Sequence, residues 1–168
     1  MSVNHSFLLA QKETLMRMRI AVAVAALSVG YAGIASGMSS GGAISEPIPA
    51  RQNLMKENGA AMKAAGAMAK GEQPFNEAEA AGAMGIIKAN MEEFPDLFPP
   101  DSAEGDTRAS PQIWEDMDGF KAAAAKTVAD AEAAEQAASQ GLDAFKAAVG
   151  AVGQNCQSCH ETYRLPRS

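Results

Sequence analysis

The chain opens on a short basic region, Arg17 and Arg19, followed by an apolar run from Ile20 to Ala35. Beyond residue 46 it breaks into four alanine-rich segments that mix apolar and charged positions, separated by stretches bearing Gly and Pro. Each segment is predicted to be a helix. The first runs from about Pro47 to Lys70: Pro49 suits an early helical position, where its missing N–H costs nothing, and Gly71 and Pro74 end the helix. The second runs from about Asn76 to Glu93. Asn76 can cap it, Glu79 can answer the cap three residues on, and Pro95, Pro99 and Pro100 stop it. A loop rich in Pro, Asp, Ser and Gly reaches about Ala109. The third helix starts at Ser110–Pro111, a good cap and first residue, and continues to about Ser139, with Gly141 as the break. The fourth spans about Leu142 to Tyr163, and Pro166 closes it. Helices of about 20 residues are about 30 Å long. Four of them with short connections predict an all-α, antiparallel four-helix bundle.

The basic residues, the apolar run and the small residues from Ala35 to Ala43 follow the order of a secretory signal. The run is short for a membrane span, which needs about 20 residues. The expected organisation is therefore a signal peptide over 1–43, cleaved within 32–45, and a single domain over 44–168 in the periplasm. His5 lies in the segment removed, which leaves His160 as the only histidine.

Composition narrows the function. Aromatics are 5% of the chain and β-branched residues are few, which favours helix over sheet. The formal charge of -6 gives no means of neutralising a row of phosphates, so a nucleic-acid partner is excluded, while docking to a basic protein surface is permitted. Much of the expected inward surface is small: Ala60, Ala61, Ala64, Ala65, Gly66, Ala122 to Ala125, Ala147, Ala148 and Gly150. Such side chains bury little apolar area, so a large apolar cofactor between the helices would fill the space. Alanine is also the best helix former, and close packing explains the same residues.

Cys156-Gln157-Ser158-Cys159-His160 carries the chemistry. Thiols three apart on a helical turn lie on one face and can add to the two vinyl groups of one porphyrin edge. The histidine that follows is brought under the iron, where imidazole is a good ligand. From the chain's own Cys and His frequencies, a random match has a chance of about 3 in 10,000. A thioredoxin-like pair needs a strand-to-helix context, and no strand is predicted. Zinc needs a fourth ligand of suitable type, and no other Cys or His remains. A plain disulfide leaves His160 unexplained. One covalent haem c is the expected cofactor.

A haem motif at the C-terminus, on the last helix of a four-helix bundle, resembles the cytochrome c-prime superfamily. Within it, the stretch from Ala50 to Gly59 (ARQNLMKENG) is similar to the c-556 branch, whose members carry a methionine in an LMKxNG-like segment. The stretch from Phe94 to Trp114 also looks like that branch. The resemblance implies that the sixth iron position is either filled by a methionine sulfur, matched here by Met55, or empty and walled by an apolar side chain. Arg51, Met55, Asn58 and Met62 fall on one face of the first helix. Arg and Met on one face suit a haem, with sulfur over the iron and guanidinium on a propionate. Methionine is also a common gap-filler, and packing explains Met55 as well.

Arg164 follows His160 by four residues and is expected on the same helical face, beside a propionate or in solvent. Trp114 and Phe120 are expected in the core. No Ser–His–Asp set, carboxylate pair or phosphate loop is present, and a peroxidase would lack a distal acid–base group. The expected function is one-electron transfer between unidentified redox proteins, without enzymatic activity. A five-coordinate haem that binds nitric oxide or carbon monoxide is the alternative. The resemblance leaves room for a homodimer through the first two helices.

Overall fold

Pro47 starts the first helix of a computed structural model that describes residues 46–166, all of them within one compact unit. The expected signal peptide lies outside the described residues. Helix α1 is Pro47–Ala69 and α2 is Glu77–Glu93. Asn76 caps α2 as anticipated, its side chain accepting from the Glu79 N–H at 3.0 Å. The proline-rich segment forms two 3₁₀ turns, Phe94–Leu97 and Pro100–Ser102.

The third predicted helix is two helices. A single turn, α3 (Gln112–Glu115), is followed by α4 (Met117–Ala138), and Asp116 between them leaves helical backbone at φ -132 and ψ 58. The cause is local: the Asp116 carboxylate accepts from the Gly119 N–H at 3.1 Å and so starts a new helix in place of continuing the old one. Gly141, at φ 98, allows the tight reversal into α5 (Leu142–Tyr163). Among the described residues no strand forms. One antiparallel bridge, Ala109 to Arg164, ties the loop to the chain end, with Ser110 N–H donating to Tyr163 O at 3.0 Å and Leu165 N–H to Arg108 O at 2.8 Å.

Cross-contacts set the register of the bundle. Lys88 faces Glu132 at 3.9 Å and Gly85 approaches Glu135, so α2 and α4 run antiparallel. Asp116 meets Tyr163 and Asp130 meets Asn155, so α4 and α5 do likewise. Met62 reaches Gly153 while Met55 stands near Cys159, which makes α1 antiparallel to α5. The four long helices form the antiparallel bundle expected from the sequence.

The alanines divide by helical register. Ala61, Ala65, Ala80, Ala124, Ala131 and Ala134 are buried where helices touch, with Ala65, Ala80, Ala131 and Ala134 fully enclosed. Ala60, Ala64, Ala122, Ala125 and Ala147 face outward. Roughly half of the small residues expected inside therefore serve helix formation alone. Beyond the alanine contacts, large side chains fill two regions. Met68, Met84 and Phe145 pack near the α1–α2 and α4–α5 turns; Phe94, Phe98, Phe120 and Tyr163 pack beside the haem motif. Among the described residues no helix is long and apolar enough to cross a membrane.

Candidate functional site

Two cavities open between α1 and α5. The larger, of about 430 Å³, is walled by Met55, Gly59, Phe94, Phe98, Ile113, Phe120 and Tyr163, with Arg51, Arg108 and Arg164 as its cationic lining. The smaller, of about 230 Å³, lies among Asn58, Met62, Ile87, Met91, Thr127 and Cys156. Met55, Gly59, Cys159 and His160 line both. These volumes suit an organic ligand, and the walls are mostly apolar.

Helix α5 delivers the motif residues. Cys156 and Cys159 are half-buried on the cavity side, and neither is in a disulfide. Burial pushes both thiols above their usual pKa; Cys156 pushes Cys159 further in the same direction, and Arg164 opposes it. His160 is pushed down, first by burial and then by the charges of Arg164 and Arg108. Both effects favour the neutral imidazole over the imidazolium, and the neutral form is the one that binds iron. Two thiols and a neutral imidazole on the wall of an apolar space fit a covalent haem. Among the described residues no cluster of three or more His, Cys, Asp or Glu is placed to hold a bare metal ion.

The face read from α1 is present: Arg51 and Asn58 are buried, Met55 and Met62 half-buried, and all four line the cavities. Met55 and His160 line the same two cavities, one from α1 and the other from α5. Arg51 has a task the sequence did not suggest. Its guanidinium donates to Leu97 O at 3.2 Å, Ser102 Oγ at 3.0 Å, Ser102 O at 2.9 Å and Thr107 Oγ1 at 2.8 Å. It also lies 4.5 Å from the Phe98 ring centre. These bonds hold the 94–107 segment against α1 and account for the burial of Arg51 without a propionate. Burial lowers its pKa, yet guanidinium stays charged.

Arg164 is not on the helical face proposed for it. Helix α5 ends at Tyr163, and Arg164 is extended at φ -129 and ψ 129, paired with Ala109. It still lines the larger cavity beside His160. Trp114 and Phe120 pack as expected, Trp114 Nε1 donating to Phe98 O and Pro99 O at 3.2 Å. Asn155, next to Cys156, donates through Nδ2 to Asp130 Oδ2 across the α4–α5 contact.

Phe94, Phe98, Ile113, Thr127 and Tyr163 are wall residues that sequence reasoning did not assign. The signals that pointed toward three of them, Phe94, Phe98 and Ile113, were the aromatic spacing of Phe94-Pro-Asp-Leu-Phe98 and the resemblance of the stretch from Phe94 to Trp114. Tyr163 is anchored behind His160, its hydroxyl donating to Asp116 Oδ2 at 3.0 Å. Gly119 allows that approach, since a Cβ there would stand 2.7 Å from the Tyr163 oxygen.

Both the sequence and the fold are similar to those of known proteins. The chain is 38% identical over 120 residues to cytochrome c-556 of Agrobacterium tumefaciens (strain II Chrys), covering 71% of this chain and 98% of that protein. It is 38% identical over 134 residues to a cytochrome c' of Rhodopseudomonas palustris, covering 78% and 91%. The solved cytochrome c' from Rhodopseudomonas palustris superposes with a TM-score of 0.69 at 38% identity, covering 73% of this chain and 98% of that one. The structural model of oxidized cytochrome c556 from R. palustris superposes with a TM-score of 0.66 at 29% identity, covering 73% and 98%. The family model described as Cytochrome C' matches residues 46–164. A bundle that sets two thiols and an imidazole against an apolar cavity, matched over nearly all its described residues, makes this chain a member of the cytochrome c' family, whose members bind one covalent haem c.

Proposed function

We propose that the protein is a periplasmic one-electron carrier whose haem is attached through Cys156 and Cys159, with His160 and Met55 as axial ligands. The observation that carries this reading is the position of Met55, which lines both cavities together with His160 from the opposite helix. Bound haem c supplies a one-electron iron couple, which a thioether ligand biases toward the ferrous state. Around it the chain's own groups exclude water: Phe94, Phe98 and Phe120 on one side, Ile87 and Met91 on the other. His160 presents a neutral nitrogen, and Tyr163 holds the turn that bears it. Arg108 and Arg164 line the larger cavity and give it positive character, the sign that suits a carboxylate-bearing cofactor edge. Its partners are redox proteins; a second copy of the chain is the other candidate. The signal peptide over 1–43 accounts for export.

Absorption spectra of the pure protein in both oxidation states, before and after Met55→Ala, test the reading. The unmutated haem is expected to be low-spin and slow to bind carbon monoxide. Met55→Ala is expected to turn it high-spin, open it to carbon monoxide and lower its potential, because methionine ligation raises it. Met62→Ala should change none of these. An unmutated protein that is already high-spin and binds carbon monoxide at once refutes Met55 ligation. The second reading, a five-coordinate haem that captures nitric oxide or carbon monoxide, then applies. Likeness to a relative named cytochrome c', at 38% identity, favours it.

A further inference from the structure

Asn58 is a buried polar side chain to which the electron-carrier reading gives no task. It is 7% exposed, sits on α1 one turn after Met55, and lines the smaller cavity. Asn90 on α2 donates through Nδ2 to Asn58 Oδ1 at 3.0 Å and to Glu57 Oε2 at 3.1 Å. A carboxylate only accepts, so the Asn90 nitrogen is fixed as the donor on this side. The Asn58 amide is fixed in turn: its oxygen faces Asn90, and its NH₂ is turned the other way. Among the described residues no fully enclosed side-chain nitrogen or oxygen lacks a partner. The Asn58 NH₂, which has no protein acceptor among them, therefore meets open space, and the space its residue lines is the cavity. Apart from the motif residues Cys156, Cys159 and His160, the remaining polar side chain on that wall is Thr127, whose hydroxyl is committed to Ala123 O at 3.0 Å. An oriented amide donor is thus set into an otherwise apolar chamber beside Met55.

We propose that Asn58 is a specificity-determining residue of the sixth iron position. Its N–H donates to the oxygen end of a small diatomic ligand bound in place of Met55, and favours nitric oxide over carbon monoxide. This rests on the reading that the iron lies between His160 and Met55. The chemistry is that of any buried donor: it rewards the ligand whose oxygen carries more negative charge.

The test uses the haem-loaded protein with Met55→Ala, in which the position is open. The infrared C–O stretch of its ferrous carbon monoxide complex is compared with that of Met55→Ala/Asn58→Leu and Met55→Ala/Asn90→Leu. The expected result is a lower C–O frequency with Asn58 in place. A preference for nitric oxide over carbon monoxide about two- to tenfold greater than in the Asn58→Leu protein should accompany it, the range of one neutral hydrogen bond. Asn90→Leu, which frees the amide to rotate, is expected to split or shift the band. If the band is the same with and without Asn58, in proteins of equal helix content, the proposal is overturned while the axial reading stands. If Asn58→Leu does not fold, an unchanged band in the Asn90→Leu protein overturns it. Failure of carbon monoxide to bind the Met55→Ala protein overturns both readings together.

Discussion

Substituting Gly119→Ala places a methyl group where two elements meet. An added Cβ would stand 2.2 Å from Asp116 Oδ2 and 2.7 Å from the Tyr163 hydroxyl oxygen, so the carboxylate must rotate away. Two bonds go with it. One is the cap from Gly119 N–H to Asp116 Oδ1 at 3.1 Å, a type whose loss costs about 0.5–2 kcal/mol. The other is the Tyr163 hydroxyl to Asp116 Oδ2 bond at 3.0 Å. A hydrogen bond to a charged group contributes about 1.5–3 kcal/mol, and the lower end applies because Asp116 is exposed. Replacing glycine by alanine within a helix returns about 0.5–1 kcal/mol. The net expectation is a loss of about 1–3 kcal/mol, which for a domain of this size lowers Tm by about 4–12 °C. Thermal unfolding of the haem-loaded protein, followed by far-ultraviolet circular dichroism, measures it. A double-mutant cycle isolates the cause: Tyr163→Phe should cost about 1–2 kcal/mol alone and nearly nothing once Gly119 is alanine. A Gly119→Ala protein with unchanged Tm, or a Tyr163→Phe cost that is the same in both backgrounds, refutes the Asp116 latch.

Two further expectations follow from the packing and the charges. Ala131 is fully enclosed in α4, so Ala131→Leu should destabilise by about 1–3 kcal/mol in denaturant unfolding, and equal midpoints would mean that the helices separate freely. Burial first, then the hydrogen bond and charge of Asp116 and the charge of Cys159, raise the Tyr163 pKa above its ordinary 10.0. The protonated phenol is therefore the form the fold favours. Its contribution is complete below about pH 10 and is lost as pH rises through the higher folded value. Unfolding free energy measured from pH 9 to 12 should fall less steeply in Tyr163→Phe, and parallel curves would sink the assignment.

The chain announced most of this in its punctuation. Proline and glycine bounded three of the long helices to within a residue or two, because such residues act through local backbone geometry that no tertiary contact overrides. Asp116 escaped notice because aspartate is tolerated inside a helix, and only the glycine three residues on lets it act as a cap. The haem motif was readable because two thiols and an imidazole at fixed spacing have few other uses. The surroundings were not. Arg51 bonds with residues 46 to 56 positions away, and Arg164 pairs with Ala109; such partners are chosen by the fold, and a one-turn spacing rule cannot reach them. The alanines illustrate the same limit, since composition counts them without saying which half faces in.

Helix α1 touches α5 much more sparingly than α2 touches α4 or α4 touches α5, because the cavities occupy the seam between them. The strand of side chains that includes Met55 is therefore mounted on the panel of the bundle least committed to the rest. Of its cavity-facing residues, Arg51 and Asn58 are tied by hydrogen bonds to the 94–107 segment and to Asn90, whereas Met55 and Met62 contribute packing alone to the fold. An architecture of this kind keeps Cys156, Cys159 and His160 on the tightly packed α5 and sets Met55 across the sparsely packed seam from them. A relative named cytochrome c-556 and a relative named cytochrome c' are both similar to this one framework, at 38% identity each.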